Sequence, residues 1–91
     1  MAYSIDYTDK AIEGLIRLRD SEPKAYVKVK RLIEELKAHP KTGTGKPEQL
    51  KGDRSGQWSR RITRHHRLVY TINESEVVVL ILTTYGHYDD K

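Results

Sequence analysis

Cysteine is absent from this 91-residue chain. That excludes a disulfide framework and any thiolate metal site, and it fits a reducing cytoplasm. The opening residues, MAYSIDYTDK, lack the basic-then-apolar pattern of a secretory leader. No apolar run approaches the length of a membrane span. The expectation is a cytoplasmic chain with no membrane partner. Internal repeats are also missing, as are the signatures of the RNP, KH and helix-turn-helix modules that would mark a general nucleic-acid binder.

What remains describes one folded domain over residues 1–91 with a modest core. The apolar fraction of 36% against a charged fraction of 33% suits a soluble globular protein rather than a disordered one. The net charge of +4 understates a local asymmetry. Between Lys41 and Tyr70 stand eight basic residues (Lys41, Lys46, Lys51, Arg54, Arg60, Arg61, Arg64, Arg67) and two acids (Glu48, Asp53), so this segment carries +6 and the rest of the chain −2. Such a concentration is the electrostatic footprint of a polyanion partner, although a solvated basic face would have the same composition.

Hydrophobic spacing organises the chain. Tyr3, Ile5 and Tyr7 alternate with polar residues and predict a first strand over residues 2–7. Thr8 and Asp9 can cap a helix with the face Ala11, Ile12, Leu15 and Ile16. Ser21, Glu22 and Pro23 start a second helix, with proline in the first turn. Its face is Tyr26, Val29, Leu32, Ile33 and Leu36, and it should end before Pro40. HPKTGTGKPEQLKGDRSG then predicts a long loop, a length that is usually functional or disordered. Three strands follow: QWSRRIT, RLVYTIN and, after the turn at residues 73–76, VVVLILTTY, apolar on both faces as in a central strand. The expectation is an α+β fold in the order β-α-α-β-β-β, with two helices packed on a largely antiparallel sheet.

A hairpin turning at residues 64–66 would set Thr63 opposite Arg67 and Arg61 opposite Val69. Opposed residues share a face, so Arg61 and Arg67 would project together from the side the helices leave open. Ile62, Leu68, Tyr70 and Ile72 would point inward. Two guanidiniums side by side can grip a phosphate. Arg60 falls on the apolar side, and the pattern offers no reason for it beyond a place near the sheet edge. Trp58, sharing that side with Ile62, reads as a packing residue. His65 and His66 point opposite ways in extended chain and lack a third ligand, so they read as turn residues adding to the basic surface and not as a metal site.

One carboxylate, Glu48, sits between Lys46 and Lys51. It is either a loop residue paired with those lysines or a base set among cations. The last strand delivers His87 and Tyr88 in YGHYDDK. A base, an acid and cations for phosphate are the parts needed for RNA cleavage by attack of a 2′-hydroxyl on the adjacent phosphorus, with no metal or other cofactor.

The runs GKPEQLKG, SGQWSRRIT and HRLVY, followed by a C-terminal HY, closely resemble the YoeB (Txe) toxins of the RelE/ParE toxin–antitoxin superfamily. The resemblance is continuous from Gly43 to Tyr70 and resumes at His87 and Tyr88. It implies a microbial-ribonuclease-like RelE/ParE fold and a ribosome-dependent endoribonuclease that cuts mRNA in the A site and inhibits translation. It also implies the 70S ribosome and its rRNA as partners, a cognate YefM-type antitoxin, and a possible homodimer. By the same resemblance Glu48 is the general base, Arg67 stabilises the phosphate, His87 is the general acid and Tyr88 its aromatic neighbour. Lys46, Lys51 and Arg61 are the RNA-contacting cations. Here Gly86 precedes His87, and Asp89 and Asp90 follow; two added carboxylates favour a protonated imidazole. The alternative within the superfamily is a non-catalytic toxin or binding module, such as an inhibitor of DNA gyrase, which has no need of Glu48, Arg67 and His87 together.

Overall fold

Thr8 opens the helical half of the chain by holding two elements at once. Its hydroxyl oxygen accepts from the Ala11 N–H at 3.0 Å, capping helix α1 (Asp9–Ser21), and its O–H donates to the Leu82 carbonyl at 2.7 Å. A single residue, Glu22, separates α1 from α2 (Pro23–Leu36), and Pro23 occupies the first helical position, where a missing N–H costs nothing. The result is a tight helical hairpin. The computed structural model describes residues 2–86.

The strands are β1 (Ser4–Tyr7), β2 (Glu48–Gln49), β3 (Trp58–Arg61), β4 (Arg67–Asn73) and β5 (Val78–Thr83), with a 3-10 turn at Gly52–Arg54 between β2 and β3. They form one sheet in the order β1-β5-β4-β3-β2. Only β1 runs parallel to its neighbour, β5; the other three pairings are antiparallel. The α+β expectation holds, with one addition. The long loop contributes β2, a two-residue strand that closes the sheet edge, so four strands rather than three follow the helices.

Both helices cover one face of the sheet. Val29, Leu32 and Leu36 of α2 are fully buried with Leu68, Tyr70, Val79 and Ile81 beneath them. Each such aliphatic side chain contributes about 1.5–3 kcal/mol. The face expected for α1 needs correction. Ala11, Gly14 and Leu18 are buried, whereas Ile12 and Ile16 remain 46% and 45% exposed. The helix is turned so that its smallest residues meet the sheet. Thr84 donates its hydroxyl to the Ala11 carbonyl at 2.7 Å, and a Cβ on Gly14 would collide with that hydroxyl and come within 3.0 Å of Tyr85 Cβ. Close approach decides the orientation over side-chain hydrophobicity.

Candidate active site

The sheet register collects the basic residues and one acid on the uncovered face. Glu48 pairs with Ser59, Ser59 with Val69, and Arg61 with Arg67. Directly opposed residues share a face, and so do residues two apart on a strand. Glu48, Arg61 and Arg67 therefore all project away from the helices, around a floor of buried Ser59 and Val69. Glu48 and Arg61 are diagonal neighbours across β2 and β3, roughly 7–8 Å apart by sheet geometry and within reach of long side chains. Opposite Val69 and Tyr70, which pair with Thr83 and Ile81, Leu82 is an extra residue on β5, a bulge that bends that strand beside β4.

The pairing differs by two residues from that expected. Arg61 faces Arg67 directly, and Ser59, not Arg61, faces Val69. The connection uses residues 62–66 and not three residues. Ile62 and Thr63 both donate their N–H to the His66 carbonyl, at 3.0 and 3.2 Å, and Thr63 Oγ1 accepts from the N–H groups of His65 and His66. A shift of two preserves the face, which is why both arginines still point the same way.

Glu48 is exposed, and among the described residues no lysine, arginine or histidine nitrogen lies within 4.0 Å of its carboxylate. Lys46 and Lys51, both exposed, flank it without neutralising it. Lys46 takes a left-handed backbone conformation, φ 52°, rare outside glycine and costing about 1–3 kcal/mol. Arg67 is half-buried. Its Nε is buried with no hydrogen-bond partner among the described residues. A buried donor left open is rare in a folded protein. His87 and Tyr88 lie outside the described residues. Among those described, no group of three or more His, Asp or Glu side chains is placed to hold a metal ion.

Arg60, unexplained by pattern, turns out to hold the loop that leads to Glu48. It is fully buried, and every guanidinium N–H is used. Nε donates to the Tyr70 hydroxyl at 3.2 Å. One terminal nitrogen donates to Glu35 Oε1 at 2.8 Å and the Thr44 carbonyl at 3.2 Å, the other to the Thr42 carbonyl at 2.7 Å and the His39 carbonyl. The Tyr70 O–H in turn donates to the Pro40 carbonyl at 2.7 Å, and burial raises the pKa of Tyr70. Glu35 is held below the usual carboxylate range by the Thr44 hydroxyl first, then by the Thr44 N–H and Arg60, against the opposing effect of burial. The loop ends where Gly45, φ 86°, accepts the Arg61 N–H at 2.7 Å; a Cβ there would press on the Arg61 backbone at 3.0 Å.

His66 also departs from its reading as a surface turn residue. It is buried, with Nε2 2.6 Å from Glu22 Oε2 and Nδ1 accepting from the Gly86 N–H at 2.9 Å. No spacing signal could have found these contacts, because both partners are distant in sequence. His65 is exposed.

Residues 7–88 match the family model described as YoeB-like toxin of bacterial type II toxin-antitoxin system. The chain is 41% identical over 76 residues to the toxin YoeB of Streptomyces coelicolor, covering 84% of this chain and 90% of that one. Among solved structures it resembles a YoeB/ParE toxin from Agrobacterium tumefaciens, with a TM-score of 0.87, 34% identity, and coverage of 93% of this chain and 99% of that one. It also resembles YoeB of Staphylococcus aureus at 30% identity, covering 97% of this chain and all of that one. That toxin is solved as a heterotetrameric complex with YefM (TM-score 0.81) and as a dimer (TM-score 0.83).

Proposed function

The chain belongs to the YoeB-like toxins of bacterial type II toxin–antitoxin systems, and from that premise we propose that it is a ribosome-dependent endoribonuclease that cuts mRNA in the A site. The observation that carries the reading is the shared open face: an exposed carboxylate with no ion pair among the described residues, beside two guanidiniums, one with a buried Nε that has no partner among them. A salt-bridged loop glutamate would have been consumed by Lys46 or Lys51. This one is available as a base.

The chemistry balances without a metal. Glu48 takes the proton of the 2′-hydroxyl as O2′ bonds to phosphorus. Arg67 holds the negative charge that builds on the phosphoryl oxygens. His87 protonates O5′ as the P–O5′ bond breaks, leaving a 2′,3′-cyclic phosphate and a free 5′-hydroxyl. Tyr88, next to the acid, adds an aromatic surface. Lys46, Lys51 and Arg61 hold mRNA and rRNA phosphates, so docking on the 70S ribosome weakens as salt rises. The protein acts in the cytoplasm, where its substrate is; among the described residues no helix is long and apolar enough to cross a membrane. As S. aureus YoeB does with YefM, this chain pairs with a YefM-type antitoxin and can form a homodimer.

Primer extension on an mRNA translated in vitro tests the reading. Purified protein should create new 5′ ends only when ribosomes occupy the message. No new ends on translating ribosomes, or supercoiling lost through gyrase instead, would replace it with the non-catalytic alternative.

A further inference from the structure

One imidazole joins the helix hairpin to the end of the sheet. His66 immediately precedes Arg67 and is only 4% exposed. A backbone N–H can only donate, so the 2.9 Å contact from Gly86 requires Nδ1 to be the acceptor and to carry no proton. The ring proton then sits on Nε2, where Glu22 Oε2 accepts it at 2.6 Å. Glu22, at the junction of α1 and α2, thereby selects the tautomer that can hold Gly86.

The other polar group of Gly86 is held too. Its carbonyl accepts the Arg67 N–H at 2.9 Å. Consecutive residues, His66 and Arg67, thus grip both backbone polar groups of one glycine. Gly86 has φ 82°, a conformation side chains rarely adopt, and nothing lies within 4 Å of where its Cβ would be. Its placement therefore comes from these two hydrogen bonds, not from packing around a side chain. Tyr85, just before it, is fixed between the His66 ring, with centroids 4.4 Å apart, and the Arg17 guanidinium at 4.3 Å. The residue after Gly86 is His87.

We infer that His66 is a positioning residue: its neutral imidazole, in the tautomer set by Glu22, fixes the backbone of Gly86, the residue immediately before the proposed general acid His87, and cleavage depends on that hold. This rests on the assignment of His87 under the proposed function. A tie that served folding alone would use the same contacts, and two substitutions separate the cases. In His66→Gln the amide nitrogen replaces Nε2 and keeps Glu22, but nothing replaces Nδ1. In His66→Asn, Oδ1 stands where Nδ1 stood and keeps Gly86, while Glu22 is lost.

Single-turnover cleavage on programmed ribosomes is measured for both, alone and combined with His87→Ala, beside ribosome affinity and Tm. His66→Gln should cut about 10- to 100-fold more slowly with unchanged affinity, the loss expected from a small misplacement of a reacting group. His66→Asn should recover most of that rate. Added to His87→Ala, His66→Gln should cause little further loss, since both act through one group. Wild-type cleavage by His66→Gln, equal losses in both variants that track Tm, or full additivity with His87→Ala would overturn the inference. A wild-type protein that cuts nothing would overturn the proposed function itself. Independently of catalysis, nitrogen NMR of the His66 ring should report the proton on Nε2; a proton on Nδ1 refutes the arrangement.

Discussion

Arg60 and Arg61 are adjacent on β3, point to opposite faces of the sheet, and meet opposite fates. The inward arginine is fully buried, and all five of its N–H groups are committed to Tyr70, Glu35 and three loop carbonyls. The outward one is exposed and faces Arg67, another cation, across the strand pair. Two like charges directly opposed on a sheet are unfavourable. The inward guanidinium is thus fully satisfied, whereas on the outer face Arg67 Nε is buried with no hydrogen-bond partner among the described residues. The contrast teaches that a residue type does not carry its role. The same guanidinium is a structural hub where acceptors converge and, under the proposed function, a grip for phosphate where it stays exposed.

That contrast predicts a graded set of outcomes. Arg60→Leu should have the largest effect, because it leaves Glu35 and several carbonyls without their donor. Losing one partner of a buried pair costs about 3–5 kcal/mol, a Tm loss of more than about 10 °C for a domain of this size, measurable by calorimetry. Arg67→Ala should come next and should appear in a different assay. Removing a charge-stabilising donor costs about 100- to 1,000-fold in rate, with Tm little changed, read by single-turnover cleavage.

Glu35→Gln should act more gently, lowering Tm at neutral pH by an amount that shrinks as the pH falls. The Glu35 carboxyl is depressed in the folded state, by Thr44 foremost. Its contribution is therefore present above the unfolded value, near 4.3, and is lost as pH falls through the lower folded value. Melting curves in the acid range should show wild type losing Tm more steeply than Glu35→Gln. Arg61→Ala should be smallest in stability, within about 0.5 kcal/mol. If it destabilises as much as Arg60→Leu, the two faces do not differ as described.

Much of this architecture was legible from spacing. The α2 stripe is long and regular, and β4 and β5 are apolar runs bounded by a polar turn. The common face of Arg61 and Arg67 was legible as well, because a sheet's alternation of two survives a register error of two; Glu48 stood out only as a carboxylate between two lysines in a predicted loop. The unread parts have physical causes. A two-residue strand such as β2 is too short to show alternation. The α1 face was misassigned because Ala11 and Gly14 contribute closeness, which hydrophobicity does not register. Arg60 and His66 were missed because their partners are backbone groups and distant carboxylates, which leave no mark in residue spacing. The same limit applies to the site: the face was readable, the supports holding it were not.

Proton transfer to Glu48 is the central step, and one substitution separates it from binding. Glu48→Gln keeps the shape and hydrogen-bonding reach of the side chain and removes its capacity as a carboxylate base. Ribosome affinity and single-turnover mRNA cleavage should be measured on the same preparation. Affinity should equal or exceed that of wild type, since a negative charge has left a basic surface. Cleavage should fall by about 100- to 10,000-fold. Cleavage at the wild-type rate would make Glu48 an ordinary exposed carboxylate and contradict the mechanism.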